Sequence, residues 1–208
     1  MRLTRRLAAA ALLAAPLFAP LLAPVSARAA DDPAVQTVRD LYAAFTDALK
    51  DGPSPLPARV AAVGPALEKA FDFPAMTRIA VGSKWSGFTP EQQAAVTDAF
   101  KRSLTVTYAN RLARAAGGKF DVTPKVEERG SQRVVPTRVT AADGDDSAVD
   151  FVVNADNRIQ DVLLNGDVSE IAAQRNALSA PLKSGGADGA VKFLRQRADG
   201  MLAAKPTP

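Results

Sequence analysis

The period of the apolar residues changes once along this chain, at Gly117-Gly118, and that change limits the folds it can adopt. Before the glycine pair, apolar residues recur at three- and four-residue steps; after it, they alternate. Val35, Val38, Leu41, Tyr42, Phe45 and Leu49 make one face of a helix opened by Asp32-Pro33. The run Asp51-Gly52-Pro53-Ser54-Pro55-Leu56-Pro57 ends it. A second helix is expected over residues 57–71, interrupted or bent near Gly64-Pro65. A short third runs from Phe73 to Val81 and is closed by Gly82. Thr89-Pro90-Glu91-Gln92 has the spacing of a capping box. The helix it opens carries Val96, Phe100, Leu104, Tyr108 and Leu112 along one side.

Beyond the pair, Phe120, Val122 and Val126 mark one strand, and Val135, Thr137 and Val139 a second. Asp143-Gly144-Asp145-Asp146 is a hairpin turn; Val149, Phe151 and Val153 lie on a third strand, and Arg158 to Asn165 make a fourth. Pro124 and Pro136 lack an N–H for the ladder and belong at an edge, an end or a bulge. Ser169 caps a helix to about Leu182, Gly185-Gly186 breaks it, and Val191, Leu194, Ala198 and Met201 face one way on a last helix. Helices and strands are segregated, which predicts an α+β domain over residues 30–204. Its expected form is a twisted four-stranded antiparallel sheet wrapped by helices, a cone of the NTF2-like kind. Residues 205–208 are expected to be a disordered tail.

Residues 1–29 read as a secretory signal peptide. Arg2, Arg5 and Arg6 are followed by an apolar run to Val25, and Ala27 and Ala29 give a small-x-small cleavage site. Three prolines in the run argue against a membrane anchor. Four of the 26 Lys and Arg lie in this leader with no acid; the other 22 balance the 22 Asp and Glu. The mature chain therefore lacks the basic surplus that phosphate-backbone binding needs. It is expected to be exported and soluble. Cysteine and histidine are absent. That excludes disulfides, thiolate sites, Cys nucleophiles and His-based triads or metal sites.

Two strand carboxylates, Asp150 and Asp161, are the candidates for chemistry, because a buried acid in a cone-shaped fold can act as a general base. The competing reading is that Asp150 faces water and Asp161 binds a neighbouring backbone group or Arg. Asp143, Asp145 and Asp146 are too close together for an EF-hand loop and lack its closing Glu. Trp85, the only tryptophan, fits either a core edge or a pocket wall.

Several motifs occur together in order. Phe71-Asp72-Phe73-Pro74 leads to Gly82-Ser83-Lys84-Trp85, then to Thr89-Pro90-Glu91-Gln92 with Phe100 and Tyr108 behind it. Gln160-Asp161-Val162 leads to Asn165-Gly166-Asp167-Val168-Ser169, followed by Arg175 and Gly185-Gly186. Over nearly all of residues 33–200 this pattern resembles the MlaC family, also called toluene-tolerance proteins, the periplasmic auxiliary components of ABC transporters. The turn Asn165 to Glu170 and the glycine pair look closest to the hopanoid-associated HpnM branch.

The resemblance implies an apolar cavity between sheet and helices, and no enzymatic activity or cofactor. It implies a job of carrying a phospholipid or hopanoid between an outer-membrane lipoprotein complex and an inner-membrane transporter. An exposed chain of ~15 methylenes costs on the order of 12 kcal/mol in water, so such cargo needs a carrier. The wall would be Phe73, Met76, Ile79 and Trp85, with Phe100, Leu104 and Tyr108 from the long helix. Phe151, Val153, Val162 and Leu164 would complete it from the sheet. The alternatives left open are an isomerase- or dehydratase-like enzyme using Asp150 or Asp161, and an adaptor that binds only other proteins.

Overall fold

A computed structural model of the chain describes residues 32–204. The expected signal peptide and the tail at 205–208 lie outside them. Five α-helices and seven strand segments follow in order: α1 Pro33–Leu49, α2 Leu56–Ala70, α3 Phe73–Val81, α4 Pro90–Leu112, then β1 to β7, then α5 Glu170–Ala203. The helix starts are those the caps dictate. Asp32 and Asp72 accept the N–H groups of Ala34 and Ala75, and Thr89 and Gln92 close the capping box. α2 runs through Gly64-Pro65 without a break. A Cβ on Gly64 would lie 3.8 Å from the Thr105 methyl, so α2 and α4 pack closely there.

The sheet contains β1 Lys119–Val122, β2 Glu127–Arg129, β3 Gln132–Val135, β4 Thr137–Thr140, β5 Asp146–Val153, β6 Ile159–Leu164 and β7 Val168–Ser169. All its pairings are antiparallel. β3 and β4 both pair with β5, while β2 and β1 pair with β3 and β4. The four expected strand paths are therefore present, but the first two are each cut in half, and the added pair β7 extends the edge at β6. The cuts fall at Pro124 and Pro136, where the ladder loses a donor. Thr123 N–H bridges the cut by donating to the Pro136 carbonyl at 3.0 Å. Gly118 lies where the chain turns into β1; a Cβ there would stand 2.0 Å from the Thr140 carbonyl oxygen. Only glycine allows that approach, which is why the change of period falls at this pair.

One sheet face and the helices share a single core. Phe71, Phe100, Phe151, Leu41, Leu67 and Met76 are its largest fully buried side chains. Tyr42 of α1 stacks on Phe120 at 4.8 Å and on Phe151 edge-on at 5.6 Å, and its hydroxyl pairs with Thr137 Oγ1 at 2.7 Å. α1 is thereby fastened to the sheet at the Pro136 break. The β5–β6 turn clamps the α2–α3 junction: Asp72 N–H donates to the Ile159 carbonyl at 2.8 Å, and Arg158 donates to the carbonyl of Phe71.

α5 is two helical arms that reverse at Gly186, whose non-helical φ of 56° and ψ of −136° are open to glycine and strained for other residues. The expected break at Gly185-Gly186 thus makes a tight hairpin. A Cβ on Gly189 would sit 2.4 Å from the Pro181 carbonyl oxygen, so the two arms touch near the bend. Arm 187–203 is tied to α4 by Arg102–Asp199 at 2.7 Å, and arm 170–185 by Arg111–Glu170 at 2.8 Å.

Candidate functional site

Most of the expected wall residues meet in the core. Phe73, Met76, Phe100, Leu104, Phe151, Val153 and Val162 are all buried in one cluster. Trp85, Tyr108 and Leu164 are partly buried and pack against it. Ile79 is the exception: it is 38% exposed, and its carbonyl accepts from Arg175 at 2.7 Å at the end of α3. Trp85 contacts Phe88 at 6.3 Å, and Gln93 of α4 donates to the carbonyls of both.

The two candidate carboxylates are structural. Asp150 accepts from Arg129 at 2.6 Å and from the Thr137 N–H at 3.2 Å, at the place where Pro136 interrupts the ladder. That bond, with help from Glu127, raises the Arg129 guanidinium above its usual pKa. Asp150 is not turned to water as one reading of the strand had it; it is 4% exposed. Asp161 accepts from the N–H groups of Val162 and Ile171 and from the Ser169 hydroxyl, fixing the start of α5. In the Asp143 to Asp146 turn, Asp143 accepts the Asp145 N–H, and Asp146 is held by Thr140 and Arg138.

A pocket of about 380 Å³ opens where α4 ends, β6 turns into β7 and the arms of α5 run side by side. Leu164, Val168, Ala173, Ala177 and Phe193 form its apolar side. Arg111, Glu170, Gln174 and Arg197 form its polar side as one hydrogen-bonded chain. Arg111 donates to Glu170 Oε2 at 2.8 Å, Gln174 Nε2 donates to Glu170 Oε1 at 2.7 Å, and Arg197 donates to Gln174 Oε1 at 3.1 Å. Glu170 and Gln174 are buried; Arg111 and Arg197 reach the surface.

Two residues of the lining neighbour the core. On β6, Leu164 and Val162 share one face, two residues apart, and Val162 pairs with Phe151. On α4, Arg111 lies one turn beyond Tyr108, whose ring stacks on Phe71 at 5.3 Å. The Tyr108 hydroxyl is buried with no hydrogen-bond partner, and burial, followed by the Glu170 charge, pushes its pKa up. Of the residues expected from sequence to form the wall, Leu164 alone lines this pocket, and its polar mouth was passed over by sequence reading. Glu170 and Gln174 had a weak signal, an i, i+4 polar pair just inside the Ser169 cap. Arg197 had none, because its place beside Gln174 depends on the reversal at Gly186.

A second groove, between α1 and α2, is lined by Asp40, Asp47 and Lys69 among alanines. There Lys69 and Asp40 pair with each other at 3.1 Å.

The chain matches the family "MlaC protein" over residues 36–196. No curated protein matches it. A solved structure similar to it is the phospholipid-binding protein from Ralstonia solanacearum in complex with a phospholipid. The two share 28% identity and a TM-score of 0.67, over 83% of this chain and 99% of that one.

Proposed function

This chain belongs to the MlaC family, and on that premise we propose that it carries a membrane lipid, with a phospholipid as its cargo. The observation that carries the reading is the Ralstonia solanacearum protein, which shares the α+β fold along nearly its whole length and holds a phospholipid. The site supports the same reading. Lipid has one charged end and a long apolar remainder, and the pocket sets guanidiniums beside the apolar side chains of Leu164, Val168 and Phe193. Family and relative point to binding or transport rather than catalysis, and the engagement of Asp150 and Asp161 in backbone and cap bonds fits that.

The leader sends the protein to the periplasm. There it shuttles lipid between an outer-membrane lipoprotein complex and an inner-membrane transporter. Its balance of 22 acids and 22 bases beyond the leader suits release from anionic membrane surfaces after each exchange. The test is to purify the exported chain from periplasm and extract and identify what comes with it. A phospholipid near one per chain supports the reading. A hopanoid in its place moves the cargo to the other lipid class. Protein without lipid that also takes none from vesicles overturns it.

A further inference from the structure

The polar mouth of the pocket holds more positive than negative charge: two guanidiniums against one carboxylate. The surplus belongs to one residue. Arg111 is neutralised by Glu170, whose other oxygen is taken by Gln174. Arg197 is half-buried and has only the uncharged Gln174 amide oxygen as a partner; among the described residues no carboxylate pairs with it. A guanidinium partly removed from water without a counter-charge costs free energy that an anion would recover. Its remaining N–H donors lie in the fork geometry that fits a phosphate. Gln174 is itself buried and held by Glu170, so its amide oxygen fixes the direction of Arg197.

We propose that this mouth is a phosphate-ester site, with Arg197 as the residue that binds the anion and Gln174 as the residue that positions it. The proposal rests on the carrier reading for its source, the phosphate of a lipid head, because the apolar side chains of Leu164, Val168 and Phe193 flank the mouth. Free phosphate would use the same donors without needing those apolar flanks.

The test compares the full-length exported protein with Arg197→Gln and Arg197→Lys. Arg195→Gln, an exposed position on the same arm, removes the same charge outside the pocket. Each protein is equilibrated with vesicles of phosphatidylglycerol, and separately with diacylglycerol of the same chains, and retained lipid is quantified. Circular dichroism checks that each variant is folded. Loss of a charge-assisted contact should cut phosphatidylglycerol retention by Arg197→Gln about tenfold or more. Arg197→Lys should recover part of it. Arg195→Gln should match wild type, and diacylglycerol retention should be equal in all four.

Equal phosphatidylglycerol retention by wild type and Arg197→Gln overturns the site while leaving the carrier reading intact. Retention of neither lipid by wild type overturns the carrier reading. Calorimetry with inorganic phosphate separates the sources. Binding that depends on Arg197 in a protein that retains no lipid keeps the anion site and overturns the lipid source.

Discussion

The break in the sheet and the mouth of the pocket contain the same parts arranged to opposite ends. Each has a buried carboxylate, Asp150 or Glu170, and a partly exposed arginine, Arg129 or Arg111, at 2.6 Å and 2.8 Å. At the break, the second oxygen of Asp150 takes the Thr137 N–H, and Arg129 is shared between Asp150 and Glu127, so no cation is left without an acid. At the mouth, the second oxygen of Glu170 takes an amide, which passes the bond on to Arg197, a second cation with no acid. A closed circuit of this kind holds a fold together, whereas an open one leaves an unmatched charge beside an apolar wall. The same residue types therefore carry stability in one place and recognition in the other.

Removing the two acids should separate those roles. Asp150→Ala leaves the Thr137 N–H without its partner and Arg129 with the exposed Glu127 as its remaining acid. It should cost about 3 kcal/mol in urea unfolding and leave lipid retention by the folded fraction unchanged. Glu170→Gln keeps a hydrogen-bonding side chain beside Arg111, which reaches water. It should cost about 1–2 kcal/mol and raise retention of anionic phospholipid, since the mouth gains net positive charge. Equal stability losses with equal effects on lipid would erase the distinction.

The two tyrosines sharpen it at smaller scale. Tyr42 pairs with Thr137 beside the break, while the Tyr108 hydroxyl, one helical turn before Arg111, has no partner. Tyr42→Phe should cost about 1 kcal/mol; Tyr108→Phe should be neutral or slightly stabilising, by up to about 0.5 kcal/mol. A large loss from Tyr108→Phe would contradict its solitary hydroxyl.

Burial raises the pKa of both tyrosines in the folded chain. A raised folded-state pKa means that the fold binds the proton more tightly than the unfolded chain does. That stability is complete below the ordinary tyrosine value of about 10 and is lost as pH rises above it. Phenolate absorbance should appear only together with the loss of helical circular dichroism. Phenolate that forms near pH ~10 in a chain still fully helical would contradict the burial of both rings.

The fold was largely legible in the sequence because its signals are local. Caps at Asp32, Thr89 and Ser169 fix helix starts, and alternation from Val149 to Val153 fixes the central strand. Pro124 and Pro136 announced irregular ladder positions, but not that each would cut a strand in two, since that depends on which neighbour supplies the missing bond. Most residues expected along the wall are buried in or packed against the core, and Ile79 is not: near the end of a short helix, periodicity does not say which turn the core still covers. The mouth was not legible. Arg111, Glu170, Gln174 and Arg197 are spread over 87 positions of sequence and meet only because α5 folds back on itself at Gly186.

The central claim is that this fold holds one phospholipid by its phosphate end at the mouth of an apolar interior. The most direct measurement is lipid phosphorus per chain after incubation with phosphatidylglycerol vesicles and their complete removal, at low and high salt. The account predicts close to one phosphorus per chain at low salt, falling in Arg197→Gln. Wild-type protein with no phosphorus above the level of an unrelated protein of similar size would contradict it.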